Sequence, residues 1–145
     1  MMIKNERQYR ITKGQAEKFS QALARIEQTP SDAGVHPLLR KAEREALQSQ
    51  LTSLRDEVQA YEDVRDGKER VFVSHSFDGL PAALIKARIA AGLSQKELAE
   101  RLGLKEQQVQ KYEATDYTSA SLARVRAVIQ ALGVSVKEEV SLAGR

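Results

Sequence analysis

Apolar residues recur along this chain at helical spacing far more often than in the alternation of a strand, and the breaks in that spacing divide it into parts. In TKGQAEKFSQALARIEQ, Ala16, Phe19, Leu23 and Ile26 are three or four residues apart, which is one stripe on a helix over about 12–28. Thr12 and Gln15 have the spacing of a capping box, and Pro30 and Gly34 give the helix reason to stop. A second helix starts with Pro37 in its first turn and runs to about Asp66, where Gly67 is placed to end it. Its length is about 45 Å, against roughly 25 Å for the first helix.

Leu47, Leu51, Leu54, Val58 and Tyr61 of the second helix follow one another at heptad spacing, which keeps one face against a neighbouring helix. An antiparallel hairpin through residues 29–36 sets Ile26 near Leu39 and Phe19 near Ala46 or Leu47. With a first helix that begins at residue 12, Leu51 to Tyr61 stay uncovered. Burying such side chains is worth about 1.5–3 kcal/mol each, a motive for self-association or for holding another protein. The alternative is that residues 1–11 or the C-terminal part fold back over this dimer or partner seam.

From Leu80 the chain reads LPAALIKARIAAGLSQKELAERLGLKEQQVQKYEATDYTSASLARVRAVIQALGV. Pro81 suits a first turn, Gly92, Gly103 and Gly133 suit C′ positions, and Ser94 with Glu97 forms a capping box. Four helices fit, over about 80–91, 94–102, 105–113 and 119–132, with Ser119 or Ser121 as the N-cap of the last. The short link at Gly103 forces the second and third into a tight turn. Ala99 is small where the two approach, Gly103 adopts positive φ freely, and Val109 returns an apolar side chain to the shared core. Leu84, Ile85, Ile89, Leu93, Leu98, Leu102, Leu104, Leu122, Val125, Ile129 and Leu132 complete that core.

With LSQKELAERLGL, a third helix, YE at 112–113 and a closing ALGV, residues 80–134 resemble the helix-turn-helix domains of the Xre/Cro/phage-repressor family. The resemblance implies that the third helix is a recognition helix, with Glu106, Gln107, Gln108 and Lys111 facing base edges in the major groove. Glutamine bonds adenine N6 and N7 together, and glutamate accepts from cytosine N4. Glu106 is equally suited to a dipole role at its helix start. By the same resemblance Gln95 holds a DNA phosphate at the second helix's N-terminus. Lys105, ahead of Arg101 and Lys96, is a phosphate ligand, and Tyr117 and Thr118 are hydroxyl donors to phosphate. Arg88 and Glu113 match a pair that forms a structural salt bridge in relatives while the guanidinium faces phosphate. The chain departs from the pattern after Glu113, where relatives commonly have glycine and this sequence has ATDYTSAS.

The fold class is therefore mainly α. Residues 1–67 form a helical hairpin with one long helix, 68–79 a linker, 80–134 the helix-turn-helix domain, and 135–145 a C-terminal extension. In that extension VSVKEEVSL reads as a short strand, and Val71, Phe72 and Val73 offer it a pairing segment in this chain or in a second subunit.

Composition narrows the function. There is no cysteine, which removes disulfides, cysteine-held metals and thiol catalysis together. No catalytic residue, metal site or cofactor is expected: His75 lies between Ser74 and Ser76 in a linker, which is not how a nucleophile and its base are assembled. No Gly-rich phosphate loop occurs. The net charge of +3 is spread over both parts, with 13 basic against 12 acidic residues in 1–77 and 10 against 8 in 78–145. That permits a nucleic-acid partner without establishing one.

No segment is apolar enough to span a bilayer, so a cytoplasmic protein is expected. The expected partner is double-stranded DNA with a palindromic operator, bound by a homodimer. The sharper expectation is an antitoxin resembling HigA, which represses its own operon and uses residues 1–66 to hold a toxin protein. The alternatives are a stand-alone repressor whose hairpin only dimerises, and a protein-binding module that does not touch DNA.

Overall fold

The computed structural model describes residues 2–29, 34 and 36–142, and Pro30 lies outside them. Two compact units divide at Lys68 and Glu69.

The first unit is a hairpin of α1 (Glu6–Gln28) and α2 (Pro37–Arg65). The start of α1 corrects the sequence reading by about six residues. Asn5 is the N-cap, and its side chain accepts from the Gln8 backbone N–H at 2.8 Å, while Gln8 Oε1 accepts from the Lys4 N–H at 2.8 Å. Thr12 is thus a half-buried residue within the helix, and no capping box operates there. Tyr9 continues the Ala16–Leu23 stripe by one heptad, and it is buried.

That extra length decides the fate of the seam. The Tyr9 and Tyr61 rings stack at 5.0 Å, Tyr9 Oη donates to Glu62 Oε1 at 2.5 Å, and Tyr61 Oη donates to Glu6 Oε2 at 3.2 Å. The Arg65 guanidinium sits over both rings, at 5.1 and 5.9 Å from their centres. Leu51 and Tyr61 are buried, and Leu47, Leu54 and Val58 are half-buried. The stripe expected to stand open between Leu51 and Tyr61 is therefore covered by α1, whose residues 6–11 provide the missing length.

At the bend, Arg40 Nη2 donates to the carbonyl of Thr29 and, at 2.6 Å, to that of Ile26, which the Thr29 N–H reaches only at 3.3 Å, so the guanidinium caps the end of α1. His36 caps α2 through Nδ1, which accepts from the Leu38 N–H at 3.1 Å.

The second unit packs α3 (Leu80–Ala90), α4 (Gln95–Leu102), α5 (Glu106–Ala114) and α6 (Leu122–Leu132) around Leu84, Ile85, Ile89, Leu98, Ala99, Val109, Val128 and Leu132. A short 3-10 turn over Phe77–Gly79 leads into α3. Two core assignments change. Leu122, the first residue of α6 after its N-cap Ser121, is 74% exposed, and Val128, absent from the sequence reading, is buried.

Among the described residues there is no strand. The segments 71–73 and 134–142 are irregular, with Val71, Val73, Val140 and Leu142 exposed. Apolar alternation alone does not make a strand; the ladder needs a hydrogen-bonded neighbour, and neither segment has one.

Candidate nucleic-acid interface

The turn between α4 and α5 is built from local rules. Ser94 Oγ accepts from the Glu97 N–H at 3.0 Å and Glu97 Oε1 accepts from the Ser94 N–H at 3.2 Å, a complete capping box. These bonds hold the Glu97 carboxyl below its ordinary pKa. Gly103 ends α4 at φ 69° and ψ 30°, and the Leu104 N–H then reaches the Ala99 carbonyl at 2.9 Å. Ala99 and Val109 are both buried, one small enough to let the helices close and the other filling the space between them.

The inner face of α5 consists of Val109, Tyr112 and Glu113. Glu113, 1% exposed, accepts from Arg88 Nε at 2.7 Å, Arg88 Nη2 at 2.9 Å and Gln95 Nε2 at 2.9 Å, while Arg88 Nη1 donates to the Leu93 carbonyl at 2.8 Å. One buried carboxylate therefore ties α3, the start of α4 and α5 together. An ion pair in such a place is weak evidence for stability in itself, but it fixes which side of α5 turns inward.

This network corrects two of the phosphate assignments. The Arg88 side chain is 3% exposed with every guanidinium nitrogen donating inside the fold, and Gln95, 6% exposed, gives its amide to Glu113. Neither side chain faces a phosphate here. Tyr117 is also buried, stacked on Tyr112 at 6.0 Å. Its burial, and secondarily the Glu113 charge, raise the phenol pKa well above the ordinary value near 10. Thr118 is exposed, but its hydroxyl hydrogen goes to the Thr115 carbonyl at 2.7 Å, leaving none to donate to a phosphate in this geometry.

The departure after Glu113 has a structural answer. Asp116 and Tyr117 take left-handed conformations, φ 50° and 58°, and the Tyr117 N–H reaches the Tyr112 carbonyl at 2.7 Å. A left-handed L-residue costs about 1–2 kcal/mol, so the pair costs about 2–4 kcal/mol, and burial of the Tyr117 ring offsets a large part of that.

The outer face of α5 carries Glu106, Gln107, Gln108, Gln110 and Lys111, all exposed. Gln108 Nε2 donates to Tyr112 Oη at 3.3 Å and Gln110 Nε2 to Glu106 Oε1 at 3.3 Å, long bonds that are easily exchanged for a ligand. Gln107 and Lys111, one turn apart, make no side-chain hydrogen bond to another described residue. Lys105 precedes the helix as its N-cap, exposed and without a side-chain capping bond. Lys96 is exposed on α4, whereas Arg101 Nη1 is engaged with the Ala131 carbonyl at 2.9 Å. The arrangement is a rod held by its inner face, presenting amides, the Glu106 carboxylate and one lysine outward, with Lys105 at its start.

Two short helices joined by a left-handed glycine, the second with a polar outer face that makes only long side-chain bonds, define a helix-turn-helix unit. Residues 84–138 match the helix-turn-helix family model, and this segment belongs to the Xre/Cro/phage-repressor type, a family of DNA-binding transcriptional regulators. No curated protein and no solved structure matches the chain. No helix among the described residues is long and apolar enough to cross a membrane.

Proposed function

We propose that this protein is a sequence-specific transcriptional repressor that reads a two-fold-related operator as a homodimer, with Glu106, Gln107, Gln108 and Lys111 on base edges and Lys105 and Lys96 on the flanking phosphates. The observation that carries the reading is the division of α5 into an anchored inner face and an outer face of glutamines with little internal use. A nine-residue helix spans only about 13 Å, so one copy reads few base pairs and a second copy on a matching half-site reads the rest.

The narrower reading, an antitoxin that holds a toxin with its hairpin, needs an open seam from Leu51 to Tyr61. With α1 lying on that seam, the stand-alone repressor is the reading the hairpin favours.

The test is selection of a preferred site from a pool of random duplexes, followed by affinities for that site and a scrambled one. Gln107→Ala with Gln108→Ala is expected to lower preference for the selected site by about 1–3 kcal/mol for each bidentate amide–base pairing removed. Lys105→Gln weakens both duplexes alike. If all these variants bind both duplexes as the parent does, α5 is not the reading helix, and a protein-binding role without DNA becomes the better account.

A further inference from the structure

A second charged surface is carried by the hairpin itself. Helix α1 carries five basic and three acidic residues, whereas α2 carries five basic and six acidic. At 3.6 residues per turn, Arg7, Lys18 and Arg25 project within about 20° of one direction, opposite the inward stripe of buried Tyr9 and Leu23 and half-buried Ala16. All three are exposed, and none forms an ion pair with a described acid.

The acids of α1 are turned elsewhere. Glu6 accepts from Tyr61, Glu17 lies roughly 80–100° round the helix and accepts from Gln21 at 3.4 Å, and Glu27 lines the cavity at the hairpin bend beside Arg40 and Arg44. Three cations thus stand along roughly 27 Å of one helix face with no carboxylate between them.

Gly14 sits in the middle of this same face. Glycine inside a helix costs about 0.5–1 kcal/mol relative to alanine, and a Cβ at Gly14 would meet nothing within 4 Å. Internal packing therefore gives no reason for glycine here, whereas close approach of an outside backbone does.

We propose that the outer face of α1 is a second, sequence-independent DNA surface, on which Arg7, Lys18 and Arg25 engage phosphates flanking the operator and Gly14 lets the duplex backbone approach closely. The inference rests on the DNA-binding reading of α5. Charge complementarity selects the occupant: duplex phosphates recur every 3.4 Å of axis along each strand, so cations about 16 and 10 Å apart fall near separate phosphates. Tethering to a unit already on DNA makes the second engagement effectively intramolecular, which compensates for the weakness of three surface charges.

The experiment uses the full chain and its Arg7→Gln, Lys18→Gln, Arg25→Gln triple variant on duplexes of about 16 and 40 base pairs sharing one selected site. On the long duplex the triple variant should show a salt slope shallower by about two to three, so that between 50 and 200 mM salt the parent loses up to roughly 40-fold more affinity. On the short duplex the two should coincide. Equal slopes on the long duplex, or an equal loss on both lengths, overturn the proposal. Loss of phosphatidylserine-vesicle binding in the triple variant with unchanged DNA slopes also overturns it, and assigns the face to a membrane surface. The Gln107→Ala, Gln108→Ala variant separates the two ideas: if it responds on DNA and the triple variant does not, only the α1 surface fails, and if it does not respond, the reading of α5 fails.

Discussion

Replacing Arg88 with methionine tests whether the buried network, rather than apolar packing alone, orients α5. The substitution keeps a long side chain at a 3% exposed position but takes away both guanidinium donors to Glu113, which is 1% exposed and still receives the Gln95 amide. A carboxylate stranded in this way costs about 3–5 kcal/mol. Since 1.36 kcal/mol is a factor of ten, the open form of the α3–α5 region should become more populated by about two to nearly four powers of ten. Hydrogen exchange followed on peptides from α3 to α5 of the full chain reads this, and peptides from α1 and α2 serve as internal reference. Pairing Arg88→Met with Glu113→Leu removes the stranded charge and should recover most of the loss, because an apolar pair of similar volume replaces a buried ion pair at little cost. A single Arg88→Met variant with exchange changed less than about fivefold would refute the reasoning.

Two further outcomes follow from the same geometry. The Tyr117 phenol has a raised pKa in the folded chain, so above pH 10 the unfolded state releases a proton that the folded state retains; stability is complete below that point and falls above it, by up to about 1.4 kcal/mol per pH unit. Tyr117→Phe should remove that component, and alkaline denaturation curves that fall equally steeply for parent and variant would show the phenol to be wet. Deleting the residues before Thr12 should uncover Val58 and Tyr61, seen as loss of exchange protection in the second half of α2 and increased binding of a hydrophobic dye. Retained protection there would mean that something other than Glu6 to Ile11 covers the seam.

The helix-turn-helix unit is legible in the sequence because its determinants are local. Ser94 with Glu97, Gly103 with Ala99 and Ser121 before α6 act within a few residues, and the structure puts each to the use its type and spacing imply. The hairpin is less legible for a different reason: the start of α1 is fixed by Asn5, a cap without the Ser/Thr–Glu form, and by a tyrosine stack across more than fifty residues of sequence. Tyr9 at heptad distance from Ala16 is the available signal. The same holds for Arg88, Gln95 and Tyr117. Their types suit phosphate binding, and only the position of Glu113, set by how three helices close on one another, turns Arg88 and Gln95 inward.

That asymmetry explains what the chain specifies about DNA and what it leaves open. The inner positions of α5 answer to packing and charge burial, so their identities follow from the fold, and Val109, Tyr112 and Glu113 admit few substitutes. Of the outer positions, Gln108 and Gln110 make only long side-chain bonds, and Gln107 and Lys111 make none to a described residue. Gln107 and Lys111 can be exchanged at little cost in stability, because exposed helix residues are usually worth within about 0.5 kcal/mol. On the proposed reading of α5, sequence preference is then set almost independently of stability, by the residues the core constrains least. The charge on α1 is free in the same sense: Arg7, Lys18 and Arg25 lie outside the packed stripe, so their shared direction calls for a reason outside the hairpin, and a polyanion lying along that face supplies one.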